Sequence, residues 1–147
     1  MPGSSSACPE CGALLPDGGS CRDNFYALLA LESQVAVAAG GLPHFYAVAC
    51  YGLQHPDSMG YTVEAWEGLR TSVAAALAGA TVAQLRERAR TGSKSARVIR
   101  RDGDPVPRTG IAQWGCTVAD ILGGGVEGYA EHVETWARSI VLTLEPR

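Results

Sequence analysis

The sequence has 147 residues, of which 46% are apolar, and a formal net charge of −3. A chain of this length buries a hydrophobic core of its own, so we expect one domain. The negative charge argues against a general affinity for nucleic acid, and no apolar run reaches the ~18 residues typical of a membrane span. The N-terminus lacks the charged and apolar segments of a signal peptide, so we expect a cytoplasmic protein with reduced thiols.

Three cysteines near the N-terminus have the spacing of zinc ligands. Cys8 and Cys11 form a C-x-x-C motif, and Cys21 follows after a turn-rich link. Two thiolates at this spacing converge on one tetrahedral ion, and a third at loop distance is typical of a closed structural site. The alternative is a thioredoxin-like redox pair, which requires a strand before the motif and a helix that begins at it. We predict a zinc-knuckle loop over residues 8–22, preceded by a disordered tail over residues 1–7.

The fourth zinc ligand has to be a histidine, because no second cysteine knuckle follows. Pro43 favours a helix from Pro43 to Gln54 that ends before Pro56. His44 and His55 would lie at opposite ends of this helix, roughly 16 Å apart at ~1.5 Å per residue, so only one of them can join the cysteines. We favour His55, which lies in the Q-H-P triplet at the helix end, and leave His44 open as the alternative.

Helical periodicity and capping residues organise the rest of the chain. Asp23 or Asn24 is a suitable N-cap for the first helix, and Thr62, Thr81 and Thr117 are suitable caps for three later ones. The pattern predicts helices from about Phe25 to Ala39, Val63 to Leu77, Val82 to Arg90, Val118 to Leu122 and Val126 to Leu144, with a loop over residues 57–61. We therefore predict an all-α fold, a compact single-domain helical bundle over residues 8–147 with the zinc-knuckle loop at its N-terminus.

A basic segment separates the last two of these helices from the others. Eight of the twelve Lys and Arg residues fall between Arg86 and Arg108, and residues 92–115 show no periodicity, which predicts a long basic loop. Arg97 and Arg100 are candidates to hold an anionic group of a substrate, or the loop meets a protein partner, or it is simply solvated. No aromatic residues alternate with the arginines, which argues against single-stranded nucleic acid.

Glu32 falls in the middle of the apolar face of the first helix, where a carboxylate is costly unless it is paired. If the helices pack antiparallel, Glu32, His44 and His132 converge in a polar pocket floored by Tyr51 and Trp136. Such a set can perform acid–base chemistry or hold a second metal ion. We name Glu32, His44 and His132 as candidate catalytic residues. The alternative is that Glu32 accepts hydrogen bonds from Tyr or Trp side chains and only orients the helices.

The remaining two cysteines receive different interpretations. Cys50 lies in the middle of the second helix, and we expect it to pack in the core. Cys116 directly precedes the Thr117 cap, where a helix N-terminus lowers the pKa of a thiol. A reactive role is one interpretation, against which the sequence indicates no histidine partner nearby.

Several motifs together resemble an uncharacterised bacterial family known as domain of unknown function 5946. They are C-P-E-C-G at residues 8–12, F-x-x-L-L-A-L-E ending at Glu32, Q-H-P at residues 54–56, T-V-A-D-I from Thr117 and E-T-W-A-R-S-I-V from Glu134. The resemblance spans residues 8 to about 142, and the chain departs from the family pattern mainly in its Arg-rich segment, residues 86–108. The resemblance implies that a common set of polar positions forms a site, without naming a reaction: Cys8, Cys11, Cys21, Glu32, His44 and His55.

Two functions fit these observations. The first is a small zinc-stabilised enzyme of bacterial metabolism that tailors or hydrolyses a small molecule, of the cyclase, isomerase or hydrolase type. The second is a zinc-stabilised binding or regulatory module that meets a protein partner through residues 86–108. A buried pocket lined by Glu32 and a histidine favours the enzyme, whereas a solid core around a hydrogen-bonded Glu32 favours the module.

Overall fold

The computed structural model describes residues 6–15, 19–35, 41–91 and 114–144. Over these ranges the chain is a helical bundle with one short antiparallel strand pair at the N-terminus, which confirms the predicted all-α fold. The strands are β1 (Ser6–Ala7) and β2 (Leu14–Leu15), and the helices are α1 (Cys21–Glu32), α2 (Leu42–Gln54), α3 (Pro56–Met59), α4 (Val63–Leu77), α5 (Val82–Thr91), α6 (Val118–Gly123) and α7 (Tyr129–Leu144). No helix in these ranges combines the length and the apolar character needed to cross a membrane.

The central element is α2, which packs against both α4 and α7, while α1 packs against α6. An apolar stripe of α7 faces this core, and Val133, Trp136 and Ile140 are fully buried there. Cys50 of α2 is also fully buried, as expected for a packing residue. The C-terminal end of α2 lies inside the core, where Gln54 and His55 are buried, whereas the side chain of His44 near its N-terminal end is partly exposed.

Three of the predicted helix caps are confirmed. Thr62 Oγ1 accepts a hydrogen bond from the backbone N–H of Ala65 at 3.0 Å. Thr81 and Gln84 form a reciprocal capping box, with distances of 2.8 and 3.1 Å, and Thr117 forms another with Asp120. Caps of this kind satisfy N–H groups that have no partner inside the helix.

The first helix begins earlier than predicted. Its cap is Ser20, whose hydroxyl accepts from the backbone N–H of Asp23 at 3.1 Å, so neither Asp23 nor Asn24 is the cap and Cys21 is the first helical residue. The helix ends at Glu32 rather than Ala39. The prediction treated the serine as part of the metal loop, although a serine three residues before an aspartate is itself a capping signal.

Other boundaries also differ from the prediction. Residues 56–59, most of them predicted as loop, form the short helix α3. The last helix begins at Tyr129 instead of Val126, because Gly128 adopts a positive φ of 71°, which breaks a right-handed helix. Ser6 and Ala7, placed in the disordered tail, instead pair with Leu15 and Leu14. The first five residues and most of the basic loop, including Arg97 and Arg100, lie outside the described residues.

The buried side chain of Gln54 connects α2 to α7 and to the segment that precedes α6. Its Nε2 donates to the backbone oxygen of Cys116 at 2.7 Å, and its Oε1 accepts from Trp136 Nε1 at 3.2 Å. Trp136 thus packs in the core and hydrogen-bonds to the end of α2. It does not hydrogen-bond to Glu32.

We expect the change Gln54→Ala to lower the free energy of unfolding by about 2–4 kcal/mol, because it leaves a buried carbonyl and a buried indole N–H without partners. Urea unfolding followed by circular dichroism measures this loss. Gln34→Ala, at an exposed position, is the matched control and should stay within about 0.5 kcal/mol of the wild type. Equal stability of the two variants would contradict the role assigned to Gln54.

Candidate metal centre

The C-P-E-C-G motif folds into a tight turn that brings two thiols together. The Cys8 N–H donates to the Ala13 oxygen and the Gly12 N–H donates to the Cys8 oxygen, both at 2.8 Å. Gly12 adopts a φ of +80°, in the left-handed region that costs glycine least. The Ala13 N–H points towards Cys11 Sγ, where its hydrogen bond favours the thiolate. The turn therefore has the backbone arrangement expected of a zinc knuckle.

Cys21 reaches the same place from the start of α1. Its Sγ lies 3.5 Å from Cys11 Sγ, close to the ~3.8 Å expected between two sulfurs bound to one tetrahedral zinc at 2.3 Å. The first turn of a helix favours a thiolate at this position because its N–H groups point outwards.

His55 supplies the fourth donor from the corner between α2 and α3. Its Nδ1–H donates to the backbone oxygen of Tyr51 at 2.8 Å, so the other ring nitrogen, Nε2, carries the lone pair. Nε2 is buried and has no hydrogen-bond partner among the described residues. A buried polar atom of this kind is costly unless something binds it, and a carbonyl on the opposite ring nitrogen is the usual support of a metal-binding histidine.

The four ligand atoms lie within 4.8 Å of one another, and all four residues are buried. The cluster of Cys8, Cys11, Cys21 and His55 can therefore hold a metal ion, as the spacing predicted. A fourth donor at this distance makes a metal site a better interpretation of the C-x-x-C motif than a redox pair. His44 lies at the other end of α2, as the helix geometry required.

Burial shapes the electrostatics of the cluster. It raises the pKa of the Cys11 thiol to about 11 and raises the pKa of Cys21 still further, with the neighbouring thiols adding to the effect. The pKa of His55 is lowered by burial. In the absence of a bound cation, these pKa shifts favour the neutral forms of the thiols and of the imidazole. A divalent cation reverses the preference, because it stabilises thiolates and needs a neutral imidazole.

Aromatic stacking fixes the ring of His55. Tyr51 stacks on His55 with ring centroids 4.2 Å apart, and on its other side Tyr51 stacks on Phe25 of α1, also at 4.2 Å. Tyr51 therefore belongs to the metal centre, and none of its described contacts is to Glu32.

Glu10, which the sequence interpretation passed over, anchors the knuckle to α3. Its carboxylate accepts hydrogen bonds from the N–H groups of Asp57 at 2.8 Å and Ser58 at 3.2 Å, and also from the Ser58 hydroxyl. Trp114 Nε1 donates to the Glu10 backbone oxygen at 3.4 Å. Two sequence features could have identified this anchor: the acidic residue inside the C-x-x-C motif, and a helix start after His55 that has no capping side chain of its own.

A second polar cluster lies at the opposite end of α1. Glu32 is only 6% exposed, its Oε2 accepts from His44 Nδ1 at 2.5 Å, and its Oε1 accepts from the Tyr129 hydroxyl at 2.6 Å. The hydrogen bond to Glu32 and burial both raise the pKa of Tyr129, so the phenol stays protonated and acts as the donor.

His132 does not hydrogen-bond to this cluster. Its ring lies against Gly124, where a Cβ would come within 2.9 Å of Nδ1, and Nδ1 is buried without a partner in the described part of the chain. The residue that contacts Glu32 from α7 is Tyr129, which the sequence interpretation assigned to apolar packing. Its position one turn before His132 on the same helix was the available signal.

Three side-chain contacts join α1 and α2 in antiparallel order. Cys21 lies beside His55 at the candidate metal centre. Moving four residues forward along α1 and four back along α2 gives the Phe25–Tyr51 stack. A further seven residues gives the Glu32–His44 pair. Steps of four and seven keep residues on one face of a helix, so the two sites lie along the same face of α1 and the same face of α2.

The reactive role considered for Cys116 is not supported. Burial, together with the charge of Asp120, raises the pKa of its thiol to about 11, whereas the prediction was a lowered value. The helix that follows has only six residues, and its first N–H groups are already capped by Thr117 and Asp120.

A family of unknown function, DUF5946, matches the chain over residues 6–145. The chain belongs to this family. No curated protein and no solved structure matches it. The matched range of DUF5946 includes both clusters, so both lie within the part of the chain that defines membership.

We expect the change Glu10→Ala to lower the free energy of unfolding of the metal-loaded protein by about 1–2 kcal/mol, a typical value for a lost helix cap, while the metal content stays the same. Glu127→Ala, at an exposed position, is the control. Thermal unfolding and metal analysis of both variants test this. Loss of the metal in Glu10→Ala would mean that Glu10 is a ligand instead of an anchor.

Proposed function

We propose that this protein binds one Zn²⁺ through the Sγ atoms of Cys8, Cys11 and Cys21 and through His55 Nε2. Three thiolates and one imidazole are a common ligand set of structural zinc, and soft sulfur ligands disfavour Mg²⁺ and Ca²⁺. The observation that carries the proposal is His55 Nε2, buried and without a partner beside three buried thiols. Because four protein ligands leave no open position, the proposed role is structural.

The proposed zinc ties three parts of the chain together. The knuckle, the start of α1 and the corner between α2 and α3 each supply at least one ligand. Folding and metal binding are then coupled, as in other small zinc-stabilised proteins. Reduced thiols of this kind persist in a reducing compartment, so the proposal includes a cytoplasmic location.

Metal analysis by mass spectrometry of the untagged protein tests the zinc proposal. We expect one zinc per chain, lost in Cys11→Ser and in His55→Gln, and retained in the control variants Cys116→Ser and His44→Gln. A chelator should lower the melting temperature of the wild type. Zinc retained in His55→Gln and lost in His44→Gln would contradict the proposed ligand set, and iron in place of zinc would contradict the identity of the ion.

We further propose that Glu32 and His44 form the acid–base pair of a small-molecule tailoring enzyme. A buried carboxylate on Nδ1 orients the imidazole and leaves Nε2 free to exchange protons, as a carboxylate does for the catalytic histidine in hydrolytic triads. The side chain of His44 is 45% exposed, in contrast to the buried Glu32. This combination of a buried orienting group and an accessible base supports an enzyme.

The binding module remains the alternative function. It depends on residues 86–108, of which the structure describes only residues 86–91 at the end of α5. Glu32 is buried and accepts hydrogen bonds from both His44 and Tyr129, which is the arrangement expected for the module. The exposed position of His44 favours the acid–base pair over a purely structural contact.

Heteronuclear NMR of the histidine rings tests the acid–base pair without knowledge of a substrate. At a pH where the rings are neutral, we expect the proton of His44 on Nδ1, because Glu32 accepts it. Glu32→Gln should move it to Nε2, since the amide N–H₂ of glutamine can donate to Nδ1 while its oxygen still accepts from Tyr129. His55 signals should not change and provide the internal control. A wild-type His44 with its proton on Nε2 would contradict the proposed pair.

A further inference from the structure

A cavity of about 330 Å³ lies between α2, α4 and α5, beside the exposed ring of His44. Its walls are mostly apolar and include Phe45 and Val48 of α2, Leu69 of α4 and Leu85 of α5. This volume falls at the lower end of the range for small-molecule sites, which are typically apolar with a few polar groups that set orientation.

Three polar side chains line the cavity, those of His44, Tyr61 and Arg86. His44 contributes an imidazole whose Nδ1 is occupied by Glu32, so only Nε2 is available to a ligand. Arg86 contributes a guanidinium from an exposed position on α5, and no ion pair joins it to another described residue. The cavity thus combines an imidazole acceptor, a phenol hydroxyl and one fixed positive charge with a mostly apolar body.

We propose that this cavity binds a small, mostly apolar molecule that carries one weakly acidic hydroxyl group, a phenol or an enol. This inference rests on the acid–base role proposed for His44. The O–H bond of the ligand breaks, its proton moves to His44 Nε2, and the bonding electron pair stays on the ligand oxygen. The imidazolium is then stabilised by the Glu32 carboxylate, and the oxyanion pairs with Arg86.

The charge of the site restricts the ligand class. One arginine cannot balance a nucleotide or another multiply charged anion, and the mostly apolar walls give too few hydrogen bonds for the many hydroxyl groups of a sugar. A neutral hydrocarbon would leave the polar groups of His44, Tyr61 and Arg86 unused. A monohydroxylated aromatic or enolic compound uses the apolar walls, the base and the cation together.

4-Nitrophenol is a suitable probe because its phenolate absorbs visible light and its neutral form does not. We expect saturable binding to the zinc-loaded protein, measured by calorimetry, with an increase in the phenolate band at constant pH. 4-Nitroanisole, which has the same body without the acidic proton, should bind at least tenfold more weakly. The reason is that a charge-assisted hydrogen bond contributes more than a factor of ten.

Variants on α5 locate the site. Ala89 lines the cavity, whereas Ala83 is exposed on a different face of the same helix. Ala89→Phe should fill the mouth of the cavity and weaken 4-nitrophenol binding at least tenfold, and Ala83→Phe should leave it within twofold. Arg86→Met keeps the apolar stem of the side chain and should reduce the phenolate band and weaken binding about tenfold. Circular dichroism and zinc content confirm that each variant is folded.

Three results would overturn the inference. These are no saturable binding of 4-nitrophenol, equal weakening by Ala89→Phe and Ala83→Phe, or equal binding of 4-nitrophenol and 4-nitroanisole. If any of them occurs while His44 carries its proton on Nδ1, the ligand class is wrong and the acid–base pair stands. If His44 carries its proton on Nε2, the proposed pair itself fails.

Discussion

Four buried metal-ligand atoms meet at one point, and the need to satisfy them is the constraint on which the rest of this structure depends. The thiols of Cys8, Cys11 and Cys21 and the Nε2 atom of His55 come from a turn, a helix start and a helix corner. The pKa values of Cys11, Cys21 and His55 move in the directions that disfavour charge in the absence of a cation. A metal ion at this point would satisfy every donor at once and would set where α1 begins relative to α2.

The antiparallel register of α1 and α2 links this point to the second cluster. The same face that brings Cys21 to His55 brings Glu32 to His44 about three turns away, with the Phe25–Tyr51 stack between them. A buried carboxylate is tolerated there because it accepts hydrogen bonds from His44 and from Tyr129, so each of its oxygens has a partner.

Sequence reasoning succeeded where local chemistry decides the outcome. The C-x-x-C spacing, the third cysteine at loop distance and the Q-H-P triplet predicted four residues that the structure brings together, and the rise per residue of a helix separated His55 from His44. Sequence reasoning failed where one segment carried two signals or where the partner came from a distant element. Ser20 caps α1 inside what was interpreted as a metal loop. Tyr129, rather than His132, reaches Glu32, because periodicity along α7 indicates its buried face but not which side chain on that face meets α1.

Coupling between the two clusters has a physical limit, because each has its own anchor. The candidate metal centre is supported by the hydrogen bonds between Glu10 and α3 and by the stacking of His55 on Tyr51. Glu32, in contrast, is held by a hydrogen bond from Tyr129 of α7. Loss of the metal would release the start of α1, but the end of α1 would still be fixed by Tyr129 and by packing of α1 against α6. The proposed metal would thus secure the fold around the proposed acid–base pair, whereas the ring of His44 is oriented by its hydrogen bond to Glu32, so we expect the two proposed roles to respond separately to substitution.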